Sequence, residues 1–115
     1  MQGFFLASLV AFGLALAQQQ TITLYTSEVL TNVNPMIELF RRANPGVNVQ
    51  VFRSGTGEVV TRLRAELEAG NPQADLLWVA DETFFRELAA ANRLHPVRAT
   101  TPGFPVRFAY QRGRY

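Results

Sequence analysis

The chain has 115 residues, carries a formal net charge of +2 and contains no cysteine. This length allows one small domain with a limited core, and the missing cysteine excludes disulfide bonds. All eleven basic residues are arginines, which excludes a phosphate-loop lysine and a Schiff-base lysine. Six of the arginines lie between Arg86 and the end of the chain, scattered singly, which favours a solvated surface over binding to nucleic acid or a membrane surface.

Residues 1–17 have the pattern of a secretory signal peptide. Residues 4–16 are almost entirely apolar, and Ala15 and Ala17 supply the small side chains of a cleavage site. The apolar run is shorter than the roughly 20 residues that span a bilayer. We therefore predict cleavage after Ala17, a mature chain of residues 18–115 and a periplasmic location. No cysteine follows the apolar run, so we predict that the protein is not a lipoprotein.

After this segment, strand and helix patterns alternate. Residues 21–26 are rich in β-branched and aromatic side chains and predict the first strand. Asn34 and Pro35 predict the start of a helix, because the first helical position tolerates proline. The apolar stripe of this helix is formed by Val33, Met36, Ile37, Phe40 and Ala43. Valines that alternate with polar residues over residues 47–51 predict a second strand with one covered face.

The second half continues the alternation. A helix is predicted over residues 57–69, ending at Gly70, and a third helix over residues 82–91, capped by Asp81. Between them, residues 76–79 are apolar throughout, which predicts a third strand covered on both faces, with Trp78 in the core. Residues 106–110 predict a further strand.

This βαβαβα order predicts an α/β fold with a parallel sheet and right-handed crossovers. The second strand has the one-sided pattern of an edge, whereas the third is apolar throughout. We therefore predict strand order 2-1-3, with residues 76–79 away from the outer edge.

Ligands of such sheets bind beyond the carboxyl ends of the strands. Three loops, residues 26–28, 54–58 and 80–82, are predicted to form this edge, and we call them the rim. They offer hydroxyls, glycine amides and carboxylates, which suit small anions or cations that prefer oxygen ligands. The candidate ligand-binding residues are Thr26, Ser27, Ser54, Gly55, Thr56, Gly57 and Asp81, with Glu58 as the candidate metal ligand.

A structural role is the alternative for several of these residues. Ser54, Thr56 and Asp81 are also typical helix caps. Glu58 would also suit the first turn of a helix, where an acid complements the helix dipole.

Residues for catalysis are scarce. His95 is the only histidine, and without cysteine the chain lacks a Cys–His dyad and a histidine-based zinc site. We predict that the protein is not an enzyme. A small stand-alone α/β enzyme or interaction module stays open as the alternative class.

Three segments carry a resemblance to a known family. They are T-I-T-L-Y-T (21–26), F-R-S-G-T-G-E (52–58) and N-P-Q-A-D-L-L-W (71–78). Together they resemble the periplasmic solute-binding proteins of bacterial ABC importers, in the group of ferric-iron and 2-aminoethylphosphonate receptors. The resemblance covers residues 18–115 and implies the amino-terminal part of a type 2 periplasmic-binding-protein-like lobe, incomplete here. It also implies an ABC permease of the inner membrane as partner, no covalent chemistry and a monomeric full-length protein.

The resemblance further implies a ligand. Glu58 occupies the place of a glutamate that ligates Fe(III) in iron-binding members, whereas Val29 stands where several of them have a histidine. Their paired tyrosine ligands lie in the second lobe, beyond Tyr115. Ferric iron with a synergistic anion such as carbonate is the leading ligand, as transported cargo rather than a cofactor. A phosphonate or phosphate ester is the alternative, held by Thr26, Ser27, Ser54, Thr56 and Gly57.

A single lobe should bind weakly. Its few hydrogen bonds contribute about 0.5–1.5 kcal/mol each, against association costs of about 4 kcal/mol or more. The chain alone is therefore expected to bind at millimolar concentration or weaker. Apolar surface left open at the sheet edge is also expected to favour association.

Overall fold

The computed structural model of the protein describes residues 19–96. Within them, strands and helices alternate as β1 (Gln20–Thr26), α1 (Leu30–Ala43), β2 (Val47–Arg53), α2 (Thr56–Glu68), β3 (Leu76–Trp78) and α3 (Glu82–Ala90). The predicted signal peptide and the strand predicted over residues 106–110 lie outside the described residues. No helix among the described residues is long and apolar enough to cross a membrane.

The three strands form a parallel sheet in the order β2-β1-β3, which confirms the predicted order. Thr26 is in register with both Arg53 and Trp78, so the strands end in line. In the described part of the chain, however, β3 is an outer strand, with Leu76 52% and Trp78 39% exposed. The placement of residues 76–79 away from the edge and of Trp78 in the core is therefore wrong for these residues. An apolar strand sequence indicates that the strand must be buried, but it does not indicate which segment packs against it.

The two faces of the sheet are covered unequally. On one face, α2 and α3 pack on β1 in a core cluster of Tyr25, Val59, Val60, Leu63, Val79, Phe84 and Leu88. On the other face, α1 contributes only Val33 and Ile37, which pack against Leu24. Met36, at 57% exposed, and Phe40, at 37%, border an apolar groove of about 280 Å³ beside Trp78. The predicted stripe of α1 is thus confirmed for two of its residues, while Met36, Phe40 and Ala43 are exposed.

The predicted start of α1 is wrong. The helix begins at Leu30, and Pro35 lies inside it. The Glu28 carboxylate accepts hydrogen bonds from Val29 N at 3.0 Å and from Asn32 Nδ2 at 3.1 Å, which organises an earlier first turn. Pro35 leaves one carbonyl, four residues earlier at exposed Thr31, without its helical donor, and water can satisfy it there.

The other helix ends follow the predicted turn chemistry. Gly70 ends α2 with φ +73°, a left-handed conformation that suits glycine, and Asn92 follows α3 with φ +53°. Asp81 caps α3, because its Oδ1 accepts from Phe84 N at 2.9 Å. These local signals were sufficient to predict the helix ends from the sequence, because each depends on interactions within a few residues.

The N-P-Q-A-D segment between α2 and β3 is held by its polar side chains. Asp75 accepts from Thr23 N at 2.8 Å through Oδ2, and Asp75 N donates to Thr23 O at 2.9 Å. Gln73 Nε2 donates to Asn71 O and Asn71 Oδ1 at 3.1 and 3.0 Å. These contacts dock the segment on β1 immediately before β3 begins, so its polar residues have a structural role.

Candidate solute-binding rim

Hydrogen bonds at the carboxyl ends of the strands join the first two rim loops to each other and the first loop to Trp78, the last residue of β3. Thr26 Oγ1 donates to Trp78 O at 2.8 Å and accepts from Glu28 N at 3.0 Å. Ser54 N donates to Thr26 O, and Ser27 N to Trp78 O, both at 3.1 Å. Thr26 has no exposed surface. Its buried hydroxyl therefore holds the first rim loop in place, and the predicted contact between Thr26 and a ligand has no exposed surface to support it.

The loop of residues 54–58 opens α2 without a side-chain cap. Gly55 is the N-cap residue and Thr56 the first helical residue, and no side chain of residues 19–96 accepts from the first-turn amides. The Ser54 hydroxyl donates instead to the Glu58 carboxylate. The alternative that Ser54 and Thr56 merely cap this helix is therefore wrong. Unpaired first-turn amides at the positive end of a helix attract negatively charged groups.

Gly55 and Gly57 leave open space at this loop. A Cβ atom built at either residue would meet no atom within 4 Å. The glycines therefore do not relieve a close contact among the described residues. They leave the α2 amides accessible from the rim.

The loop of residues 80–82 is occupied by structural contacts. Asp81 caps α3, as the structural alternative predicted, and Glu82 pairs with Arg86 at 2.6 Å. A ligand contact by Asp81 stays a prediction, because one of its oxygens already accepts from Phe84 N.

Carboxylates outnumber basic side chains on the rim. Glu28, Glu58, Asp81 and Glu82 belong to the three loops, whereas two described arginines adjoin them: Arg53 at the end of β2, and Arg86, which pairs with Glu82. Among the described residues, no group of three or more His, Cys, Asp or Glu side chains lies close enough to hold a metal ion. Glu58 alone therefore does not make a metal centre in this part of the chain.

Behind the rim, a buried tyrosine is tied to α2 by a network that the sequence did not indicate. Tyr25, only 1% exposed, donates from its hydroxyl to Glu66 Oε1 at 2.7 Å. Arg62 Nε donates to the same oxygen at 2.9 Å, and Gln73 N donates to Glu66 Oε2 at 3.0 Å. The Arg62 guanidinium also lies 4.2 Å from the centroid of the Phe52 ring. One carboxylate thus joins β1, α2 and the segment that leads into β3.

This network shifts the pKa values of its two acids in opposite directions. Burial alone would raise the pKa of Glu66, but hydrogen bonds from Tyr25, Gln73 and Arg62 outweigh burial and lower it. Burial raises the pKa of Tyr25, and the hydrogen bond to the Glu66 carboxylate raises it further. The network is therefore complete when Glu66 is ionised and Tyr25 is neutral.

Comparison with known protein families identifies the class of protein. The family of bacterial extracellular solute-binding proteins matches residues 26–103, which include all three rim loops. The chain belongs to this family. It is therefore a non-catalytic solute-binding protein of the ABC-transport type, whose partners are a small ligand and a permease. None of the curated proteins compared with the chain matches it.

Proposed function

We propose that the protein captures ferric iron together with a synergistic anion such as carbonate, for delivery to a permease of the inner membrane. The observation that carries this proposal is the position of Glu58. Its exposed carboxylate lies in the first turn of α2, on the rim, and the Ser54 hydroxyl orients it. Fe(III) is a hard cation that prefers anionic oxygen ligands.

The charge of the rim supports a ligand that contains a cation. Four carboxylates lie on the three loops, and the described arginines that adjoin them are Arg53 and Arg86, the latter paired with Glu82. Their summed potential would attract a cation and oppose a free dianion. In this proposal the other iron ligands come from outside the described residues.

A second candidate ligand is an organophosphonate or phosphate ester. The first-turn amides of α2, which no side chain caps, support this candidate. Ser27, Ser54, Thr56 and Gly57 would then supply the remaining contacts. In this case the Glu58 carboxylate would oppose the ligand instead of binding it.

Replacing Glu58 with glutamine tests the choice between these ligands. We expect Glu58→Gln to weaken the complex with ferric ion and carbonate about tenfold, which corresponds to about 1.4 kcal/mol, because an anionic oxygen ligand is lost. Binding of 2-aminoethylphosphonate should not weaken. Isothermal titration calorimetry at high protein concentration measures both ligands. Glu68→Gln, which changes an exposed carboxylate at the other end of α2, is the matched control.

Unchanged iron binding by Glu58→Gln would contradict the iron proposal. Tighter phosphonate binding by the same variant, together with unchanged iron binding, would favour the second candidate. A loss that Glu68→Gln reproduces would indicate a general charge effect instead of a ligand contact.

We also propose that the protein is exported to the periplasm and cleaved after Ala17, leaving residues 18–115 as the amino-terminal part of a first lobe. The pattern of residues 1–17 supports export. The mass of the protein recovered from the periplasm tests the cleavage site.

A further inference from the structure

Arg53 adjoins the rim but was not among the candidate residues. It is the last residue of β2, in register with Thr26, and its side chain is exposed. Its Nε donates a long hydrogen bond of 3.4 Å to Glu28 O, which places the guanidinium beside the first rim loop. Arg53 therefore places a positive charge beside the loop of residues 26–28, at the strand end where the loop of residues 54–58 begins.

The bonding of Arg53 differs from that of most other described arginines. The arginines that pair with a glutamate are Arg41, Arg62, Arg64 and Arg86. Arg53 has no carboxylate partner within the described residues, although Glu28 and Glu58 both belong to the adjoining loops. Its Nε is held by a neutral carbonyl, so both terminal nitrogens can donate to a ligand.

We infer that Arg53 binds the anionic group of the solute. A planar guanidinium donates two parallel hydrogen bonds to carbonate, phosphate or phosphonate oxygens, a geometry that an ammonium group cannot reproduce. The Glu28 and Glu58 carboxylates on the two adjoining loops oppose an approaching anion, and the positive charge of Arg53 offsets that repulsion where α2 begins. The inference rests on the proposed function, and it applies to the synergistic anion and to a phosphonate alike.

An anion titration without metal tests this assignment. Inorganic phosphate, and separately carbonate, is added at constant ionic strength to the ¹⁵N-labelled protein, and amide shifts of residues 54–58 give the Kd. We expect Arg53→Gln to raise the Kd about tenfold and Arg53→Lys to raise it less. Arg41→Gln, in the last turn of α1 and away from the rim, should leave it unchanged. In the unsubstituted protein, the Arg53 Nε–H signal should shift with the same Kd.

Several outcomes would overturn the assignment. The first is an anion Kd that is the same for Arg53→Gln and the unsubstituted protein. The second is an equal rise in Kd for Arg41→Gln. The third is that neither phosphate nor carbonate shifts the amide signals of residues 54–58. If Arg53→Gln does not fold, a static Arg53 Nε–H signal during the titration overturns it instead. The effect of Glu58→Gln on iron binding is measured separately, so failure of the Arg53 assignment does not contradict the proposed iron site. If the protein binds neither ferric ion nor the two anions, the proposed function is rejected as well.

Discussion

Replacing Glu66 with alanine should lower the free energy of unfolding by about 3 kcal/mol. The substitution removes the acceptor of three donors, namely the Tyr25 hydroxyl, Arg62 Nε and Gln73 N. Tyr25 is only 1% exposed, so its hydroxyl would lose its partner where water has little access. Urea unfolding followed by circular dichroism measures the change. Glu68→Ala, an exposed glutamate two residues along the same helix, should change stability by less than about 0.5 kcal/mol.

The same carboxylate should make stability depend on pH. The pKa of Glu66 is lower in the folded protein than in the unfolded chain, where a glutamate has a pKa of about 4.3. The contribution of the Glu66 charge to the free energy of unfolding is therefore fully present above that unfolded pKa. The contribution is lost as the pH falls through the folded pKa. The difference in unfolding free energy between the unsubstituted protein and Glu66→Gln should therefore be larger at pH 7 than at pH 3. A difference that stays constant with pH would contradict the assigned role of the charge.

Replacing Thr26 with valine should lower the free energy of unfolding by about 2 kcal/mol, because a buried hydroxyl with two hydrogen bonds is lost at nearly constant side-chain volume. Glu28 N would lose its acceptor, and the link from β1 to the Trp78 carbonyl would be broken. We also expect weaker solute binding, since Thr26 holds the first rim loop against the end of β3. Thermal unfolding and calorimetry on the same variant measure both effects.

Two further variants test whether the loss of stability in Thr26→Val comes from the hydroxyl group. Thr26→Ser keeps the hydroxyl and should retain most of the stability. Thr21→Val makes the same chemical change on an exposed residue of β1 and should have little effect. A loss of stability in Thr26→Ser, with none in Thr26→Val, would show that the methyl group, and not the hydrogen bonding, stabilises this site.

Local patterns in the sequence predicted the elements of the fold well. Gly70, Asn92 and Asp81 mark helix ends through interactions within a few residues, and the alternation of strands and helices indicated the parallel sheet with its 2-1-3 order. The start of α1 was wrong because the Glu28 side chain outweighs the local preference of Asn34 and Pro35. Where two helix starts are possible, side-chain contacts determine which one forms, and residue spacing alone does not predict those contacts.

The site was predictable in its location but not in its detailed bonding. Parallel strands bring residues 26–28, 54–58 and 80–82 to one edge, and direct hydrogen bonds join the first two of these loops to each other and the first to the end of β3. The link between Tyr25 and Glu66 spans 41 positions and leaves no periodic signal. Arg53 was missed for a related reason, because the contact of its Nε with the Glu28 carbonyl, beside the first rim loop, is revealed only by the folded arrangement.

Trp78 gives the protein an intrinsic optical reporter. It is the only tryptophan of the chain, and its indole is 39% exposed beside the apolar groove. Its carbonyl accepts hydrogen bonds from Thr26 Oγ1 and Ser27 N, so the same residue is tied to the rim. A solute that shifts the first rim loop would also change the surroundings of the indole. Fluorescence emission can therefore follow binding to the unsubstituted protein without an attached dye, and stopped-flow mixing would extend the observation to the rate of capture.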